Sequence, residues 1–336
     1  MPVYSSRVED DIPPGLRLDR YLAEYLKILS RSQIKARSLR ALLNGRAVKL
    51  SRPLKGGEYL ELSWEEAESL VLIPQDLPLE LIYEDARVIV VNKAQGMVVH
   101  PGAGNRDGTL ANALLYRGLM RGEAFSWSDP NKASDPTKNG GDPTKASDPT
   151  KAGGCPANAG GLRPGIVHRL DKDTSGLMIA AWDEEAHAFL ADQFKARKVR
   201  KTYAALVQGR PKEIKGSINK NIVRSRGDRK LFTVSDREGR RSLTFYKLVK
   251  SYGKYSLLLL RPKTGRTHQI RVHLKYLGCP ILGDPLYGRQ DSRFPKALLM
   301  LHSRSLGLVL PGHEEPVLFK SPLPERFREI IGRLRG

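Results

Sequence analysis

Apolar positions along this chain follow two rhythms that predict different elements. Short apolar runs read as strands: Arg87-Val88-Ile89-Val90-Val91, Leu177-Met178-Ile179-Ala180-Ala181, Tyr203-Ala204-Ala205-Leu206-Val207, Leu243-Thr244-Phe245-Tyr246, Ser256-Leu257-Leu258-Leu259-Leu260 and Gln269-Ile270-Arg271-Val272. Helical spacing predicts helices over residues 109–116 and 184–190. Strands predominate, and their order builds no repeated βαβ units. From residue 77 to 336 the pattern therefore predicts an α+β fold around a mainly antiparallel mixed sheet.

Residues 15–70 are patterned as a separate small α/β module. Leu18, Tyr21, Leu22, Tyr25 and Leu26 share one face of a helix, and Ser30 caps a second whose Arg31, Lys35 and Arg37 form a basic face. Asn44-Gly45, between Leu42-Leu43 and Ala47-Val48, is the dipeptide of a type I′ hairpin, because both of its positions tolerate positive φ. Gly56-Gly57 ends the next turn, and Tyr59-Leu60-Glu61-Leu62 closes a small sheet.

The stretch 121–162 has a different texture. Asp129-Pro130-Asn131-Lys132, Asp135-Pro136-Thr137-Lys138, Asp142-Pro143-Thr144-Lys145 and Asp148-Pro149-Thr150-Lys151 repeat among Gly, Ser and Ala, and no apolar face can form. Such a tract buries too little surface to offset its conformational entropy, so it is expected to be a disordered insertion in the larger domain.

Charge narrows the partners. Lys and Arg number 57 against 36 Asp and Glu, a net charge of +21 that calls for a polyanion. An anionic membrane would also answer, but apolar runs such as Val88 to Val91 fall far short of the roughly 20 residues that span a bilayer. The opening Met1-Pro2-Val3-Tyr4-Ser5-Ser6-Arg7 lacks the apolar core of a signal peptide. Cys155 and Cys279 are far apart and form no CxxC. The expectation is a cytoplasmic protein with no membrane partner.

Several familiar motifs fail on inspection. Asp171-x-Asp173-x-Ser175-Gly176 opens like an EF-hand loop, but its twelfth position is Trp182 where calcium requires a bidentate Glu. Read as a strand, His268 and His273 point to opposite faces, a poor geometry for sharing a metal. Ser32-Gln33-Ile34-Lys35 and Lys263-Thr264-Gly265 match two pieces of a penicillin-recognising enzyme, but the middle motif is missing. No GxSxG elbow is present either. No metal and no cofactor are expected.

What remains is Asp171. It sits among His168, Arg169 and Lys172 on a turn leading into an apolar strand, while a second basic cluster, Lys263 to Arg271, lies far away in sequence. A carboxylate fixed beside a cation can serve as nucleophile or base; an Asp before Thr-Ser-Gly can also merely cap a turn.

The segment His168-Arg169-Leu170-Asp171-Lys172-Asp173-Thr174-Ser175-Gly176 resembles the defining motif of the RluA family of pseudouridine synthases. Val91-Asn92-Lys93, Val98-Val99-His100-Pro101-Gly102, Lys201-Thr202-Tyr203, Thr264-Gly265-Arg266-Thr267-His268-Gln269-Ile270-Arg271-Val272-His273, Gly283-Asp284 and Leu301-His302-Ser303 follow in the family's order. Lys93-Ala94-Gln95-Gly96 departs from the family's usual Lys-Pro-x-Gly. The resemblance implies isomerisation of uridine within RNA: the N1–C1′ bond breaks, the uracil turns, and C5 joins C1′ without metal or cofactor. It makes Asp171 the catalytic carboxylate, leaving open whether it attacks the ribose, adds to the uracil or removes a ribose proton. Tyr203 would stack on the uracil and help move the C5 proton, Arg271 would pair with Asp171, and Leu301 would wall the base. Arg169 would enter the gap left by a flipped base, with His168 beside it and Arg266 on phosphate.

Residues 15–70 resemble the S4 RNA-binding domain through Arg17-Leu18-Asp19-Arg20-Tyr21-Leu22, Ser30-Arg31-Ser32-Gln33-Ile34 and Leu43-Asn44-Gly45-Arg46-Ala47-Val48. Arg17, Arg31, Ser32 and Lys35 are then the expected RNA contacts. An S4-like module favours 23S-type ribosomal RNA as partner, and a monomer is expected. The competing reading is a noncatalytic RNA-binding or ribosome-assembly protein using the same basic surfaces.

Overall fold

The computed structural model describes residues 3–26, 28–29, 34, 38–65, 72–102, 104–122, 164–228 and 230–335. Arg31, Ser32 and Lys35, and the repeats of the 121–162 insertion, lie outside the described residues. Two compact units are present, one drawn from Met1–Leu70 and the other from the rest of the described chain.

In the first unit, β1 (Val3–Arg7), β2 (Arg40–Leu43), β3 (Arg46–Ala47) and β4 (Tyr59–Ser63) form an antiparallel sheet in the order β1-β4-β2-β3. Asn44 and Gly45 have φ of 50° and 75°, the pair of left-handed residues that a type I′ turn needs. The expected amphipathic helix is shorter and partly wider. One helical turn, Leu18–Arg20, runs into a π-type turn, Tyr21–Tyr25, closed by the Leu26 N–H donating to the Tyr21 carbonyl. The widened turn carries Tyr25 off the buried face that Leu18, Tyr21 and Leu22 share, so Tyr25 is exposed. Arg17 forms a bidentate pair with Asp19 at the surface.

The second unit is a mixed α/β structure built on one large sheet. Its strands are β5 (Glu80–Glu84), β6 (Val88–Lys93), β7 (Ser175–Ala181), β8 (Arg200–Gln208), β9 (Lys215–Asn219), β12 (Leu243–Tyr252), β13 (Tyr255–Pro262), β14 (Leu301–Val309) and β15 (Pro316–Lys320). The order is β5-β6-β7-β14-β8-β13-β12-β9, with β15 also on β14; a separate ribbon pairs β10 (Asn221–Arg224) with β11 (Phe232–Ser235). Among the described strands, β7 and β14 alone pair in parallel, at His302↔Ser175 and Ser303↔Gly176.

Burial explains why the central strands are unbroken apolar runs. Ile89, Val91, Met178 and Ala180 enter one core cluster, whereas Val88, Val90, Leu177, Ile179 and Ala181 enter another. A strand covered on both faces loses the alternation of a half-exposed one. Gly176 fits where β7 meets β14, because at its φ of 117° an added Cβ would stand 2.3 Å from the Ser303 carbonyl oxygen.

Helices span Leu110–Met120, Glu184–Lys195, Gln269–Tyr276 and Glu325–Arg335. Thr109 caps the first through a capping box with Asn112, and Asp183 caps the second. The third corrects the strand expected over residues 269–272. Six consecutive residues, Gln269 to Leu274, are buried, so the apolar pattern alternates no better for a strand than for a helix. Local bonds decide it: the Gln269 side chain accepts from Thr264 Oγ1 and the Arg266 N–H, and donates to the Leu243 carbonyl and Thr244 Oγ1. His273 is buried against Thr244 Oγ1 at 2.9 Å, a structural histidine. Among the described residues, no helix is long and apolar enough to cross a membrane.

Candidate active site

Asp171 stands on a turn closed by the Thr174 N–H donating to its carbonyl, immediately before β7. The next carbonyl, that of Lys172, accepts from the Gly96 N–H at 3.0 Å and from Lys93 Nζ at 3.1 Å. Lys93 is 1% exposed and also donates to the carbonyls of Ala94 and Met97, both at 2.8 Å. Burial pulls the Lys93 amine down to about 7, although the charges of Asp173 and Asp171 oppose it. Three carbonyls, one for each ammonium proton, suit the charged form.

The turn borders a cleft of about 440 Å³ whose lining includes Arg169, Asp171, Tyr203, Arg266, Arg271 and Leu301. Residues from four separated stretches of sequence thus meet in one place. Tyr203 on β8 is 8% exposed; burial pushes its phenol up to about 12, with Ser303 opposing and the Asp171 charge adding. Leu301, at the start of β14, is buried. Arg169 is exposed at the cleft, and the Arg266 backbone is fixed by Gln269.

Arg271 is 3% exposed on its side chain and stands with Nη1 3.5 Å from Asp171 Oδ2. Its fork, however, grips Asp284: Nε donates to Oδ2 at 2.8 Å and Nη2 to Oδ1 at 2.7 Å. From sequence, Arg271 is expected to pair with Asp171 alone. Asp284 lies within the Gly283-Asp284 motif, and its role depends on a loop returning to the helix. Asp284 Oδ1 also accepts from the backbone N–H groups of Leu286 and Tyr287, so the acceptor is itself fixed. Burial opposes the Arg271 charge, but Asp284 and Asp171 outweigh it and raise its pKa.

His168, expected beside Arg169 as an RNA contact, packs its ring inward. Its Nε2 accepts from the Ile179 N–H at 3.1 Å, and its ring stacks on Phe194 with centroids 4.6 Å apart. Burial, with Lys201 adding, lowers it to about 3, so the ring is a neutral strut holding the Asp171 turn against β7. A second unforeseen cluster lies beneath the turn: Ser175 Oγ is 2.9 Å from His302 Nδ1 and accepts from Arg326 Nη2 at 2.6 Å. The family motifs held Ser175 and His302 but gave no signal for Arg326. Among the described residues, no group of three or more His, Cys, Asp or Glu could hold a metal ion.

The profile of the RNA pseudouridylate synthase family matches residues 87–276, which carry the Asp171 turn, Tyr203 and Arg271. The chain belongs to this family. As a pseudouridine synthase it is 41% identical over 319 residues to the ribosomal large subunit pseudouridine synthase D of Borreliella burgdorferi, covering 93% of this chain and 88% of the relative. It is 40% identical over 330 residues to an uncharacterized RNA pseudouridine synthase of Aquifex aeolicus, covering 95% and 93% respectively. The structure of human RNA pseudouridylate synthase domain containing 4 superposes with a TM-score of 0.55 at 26% identity, over 76% of this chain and 93% of the human one. The synthase fold therefore accounts for the large sheet.

Proposed function

We propose that this synthase isomerises uridine in large-subunit ribosomal RNA, using Asp171 as its reacting carboxylate. The observation that carries the reading is the convergence on one cleft of Asp171, the Arg271 guanidinium behind it, Tyr203 and Leu301. The choice of RNA follows the names of the relatives from Borreliella burgdorferi and Xanthomonas campestris, both ribosomal large subunit pseudouridine synthase D. A cytoplasmic location fits such an RNA.

The residues support distinct tasks. Chemistry at a base requires extruding it from its stack, at a cost of a few kcal/mol. Arg169, exposed beside Asp171, takes the vacated space and offsets part of that cost. The ring of Tyr203 lies against the uracil, and its phenol, kept protonated, can exchange a proton with C5. Asp171 meets the ribose or the base with its carboxylate backed by a fixed cation. The first unit adds RNA contacts as an S4-like module, with Arg17 at its surface.

The test is to map pseudouridine in large-subunit RNA from cells lacking the enzyme, then restore the wild type or Asp171→Asn. Sites that return with the wild type and stay unmodified with the variant are expected. Sites that return with both would refute the role of Asp171, and RNA bound but never modified would favour the noncatalytic reading.

A further inference from the structure

His268 ends the loop that leads into helix Gln269–Tyr276 with φ 55° and ψ 16°, the left-handed conformation, which is costly for a residue carrying a Cβ. Its side chain lines the same cleft as Asp171, Tyr203 and Leu301. The ring is held edge-on by Phe232, with centroids 5.6 Å apart, and by Tyr287 at 5.5 Å. Nδ1 lies 2.8 Å from the hydroxyl of Tyr287, which is 2% exposed.

That contact fixes the tautomer. The Tyr287 hydroxyl oxygen already accepts from the Phe232 backbone N–H at 2.9 Å, and a backbone N–H can only donate. The hydroxyl's own proton needs an acceptor, and among the described residues the one within reach is His268 Nδ1. Nδ1 is therefore bare, and the neutral ring carries its proton on Nε2. No described residue accepts from Nε2, and it is not among the sealed-off polar atoms, so it faces the solvent of the cleft.

We infer that His268 recognises the substrate base: locked by Tyr287 as the Nε2–H tautomer, it donates a hydrogen bond to an exocyclic carbonyl oxygen of the uracil held over Asp171. The inference rests on the uridine-isomerising reading above. When the N1–C1′ bond breaks with its electron pair left on the base, negative charge spreads to the two exocyclic oxygens. A donor already in place strengthens there without giving up its proton. If the bond goes to the C4 oxygen, the same N–H would also discriminate against cytidine, whose C4 amino group is a donor and offers no acceptor there. Burial holds the ring below the ordinary histidine range. Asp171 and Asp284 pull it up, and Arg271 and Arg169 hold it down.

The experiment follows release of tritium from C5 of uridine in a transcript of large-subunit ribosomal RNA, using the full-length enzyme. The amide nitrogen of glutamine reaches the position of Nε2, so His268→Gln keeps a donor that His268→Gly lacks, on a left-handed backbone that the histidine already bears. His268→Gly should lower kcat roughly 10- to 100-fold with little change in KM, and His268→Gln should restore most of the loss. Tyr287→Phe keeps the ring against Arg271 but frees the tautomer. It should cost about 2- to 10-fold in kcat and add nothing in the His268→Gly background. Wild-type rates in His268→Gly, or equal losses for Gln and Gly, would overturn the donor role while leaving the proposed activity standing. If His268→Gly does not fold, a wild-type rate in Tyr287→Phe overturns the inference instead. A wild-type enzyme that releases no tritium overturns both readings.

Discussion

Arg271 meets Asp171 through Nη1 alone, at 3.5 Å, because its Nε and Nη2 are committed to Asp284. The cation behind the carboxylate proposed to react is thus aimed by a second carboxylate whose side chain is fully buried. Asp284→Asn should damage both fold and activity. It leaves a buried guanidinium half-paired, a loss of about 3–5 kcal/mol in denaturant unfolding. Arg271→Lys cannot span both carboxylates with one ammonium and should lower pseudouridine formation roughly 10²-fold through misplacement. Near-normal turnover in Arg271→Lys would show that the bridge is dispensable.

Tyr203 should remain a phenol throughout the working range. Its pKa is raised to about 12 by burial, so any stability linked to its proton is present below the ordinary 10 and is lost only as pH rises through 12. The rate profile from pH 7 to 10 should show no fall from its ionisation. Tyr203→Phe should bind RNA as the wild type does but turn over more slowly, whereas Tyr203→Ala should lose both. A filter-binding titration beside a rate measurement separates the two.

Acid should unfasten the Asp171 turn through His168. Its folded pKa of about 3 lies below the ordinary 6.5, so the stability contributed by the neutral ring is complete above 6.5 and drains away as pH falls towards 3. Glutamine can accept the Ile179 N–H with an oxygen that does not titrate there. His168→Gln should therefore flatten the decline in stability between those values, as followed by circular dichroism. An unchanged slope would remove His168 from the acid response.

Removing residues 1–70 should weaken RNA binding and leave the second unit folded, since the two units have separate cores. The checks are a cooperative melt of the shortened chain and its RNA affinity across salt concentrations. A protein contacting fewer phosphates should show a shallower dependence of log K on log salt. Identical slopes would argue against the S4-like role.

Sequence pattern located the doubly buried strands, the capped helices at Thr109 and Asp183, and the turn of Asp171. These signals are local, carried by apolar runs, helical spacing and a hairpin dipeptide. The helix from Gln269 is not legible in the pattern, because Ile270 and Val272 are β-branched and four residues cannot separate the two periods. The Asp284 fork, the His302–Ser175–Arg326 cluster and the inward turn of His168 all arise from contacts between distant segments. No spacing within one segment could announce them. The π-type turn at Tyr21 escaped for a related reason, since a widened turn leaves the same residues in the same order.

Lys93 has a consequence beyond holding its carbonyls. An amine enclosed by three acceptors cannot meet a reagent until the segments carrying Ala94, Met97 and Lys172 part. Its acylation rate therefore counts openings of the loop bearing Asp171, and occupancy of the cleft that slows those openings would register as protection of a single lysine.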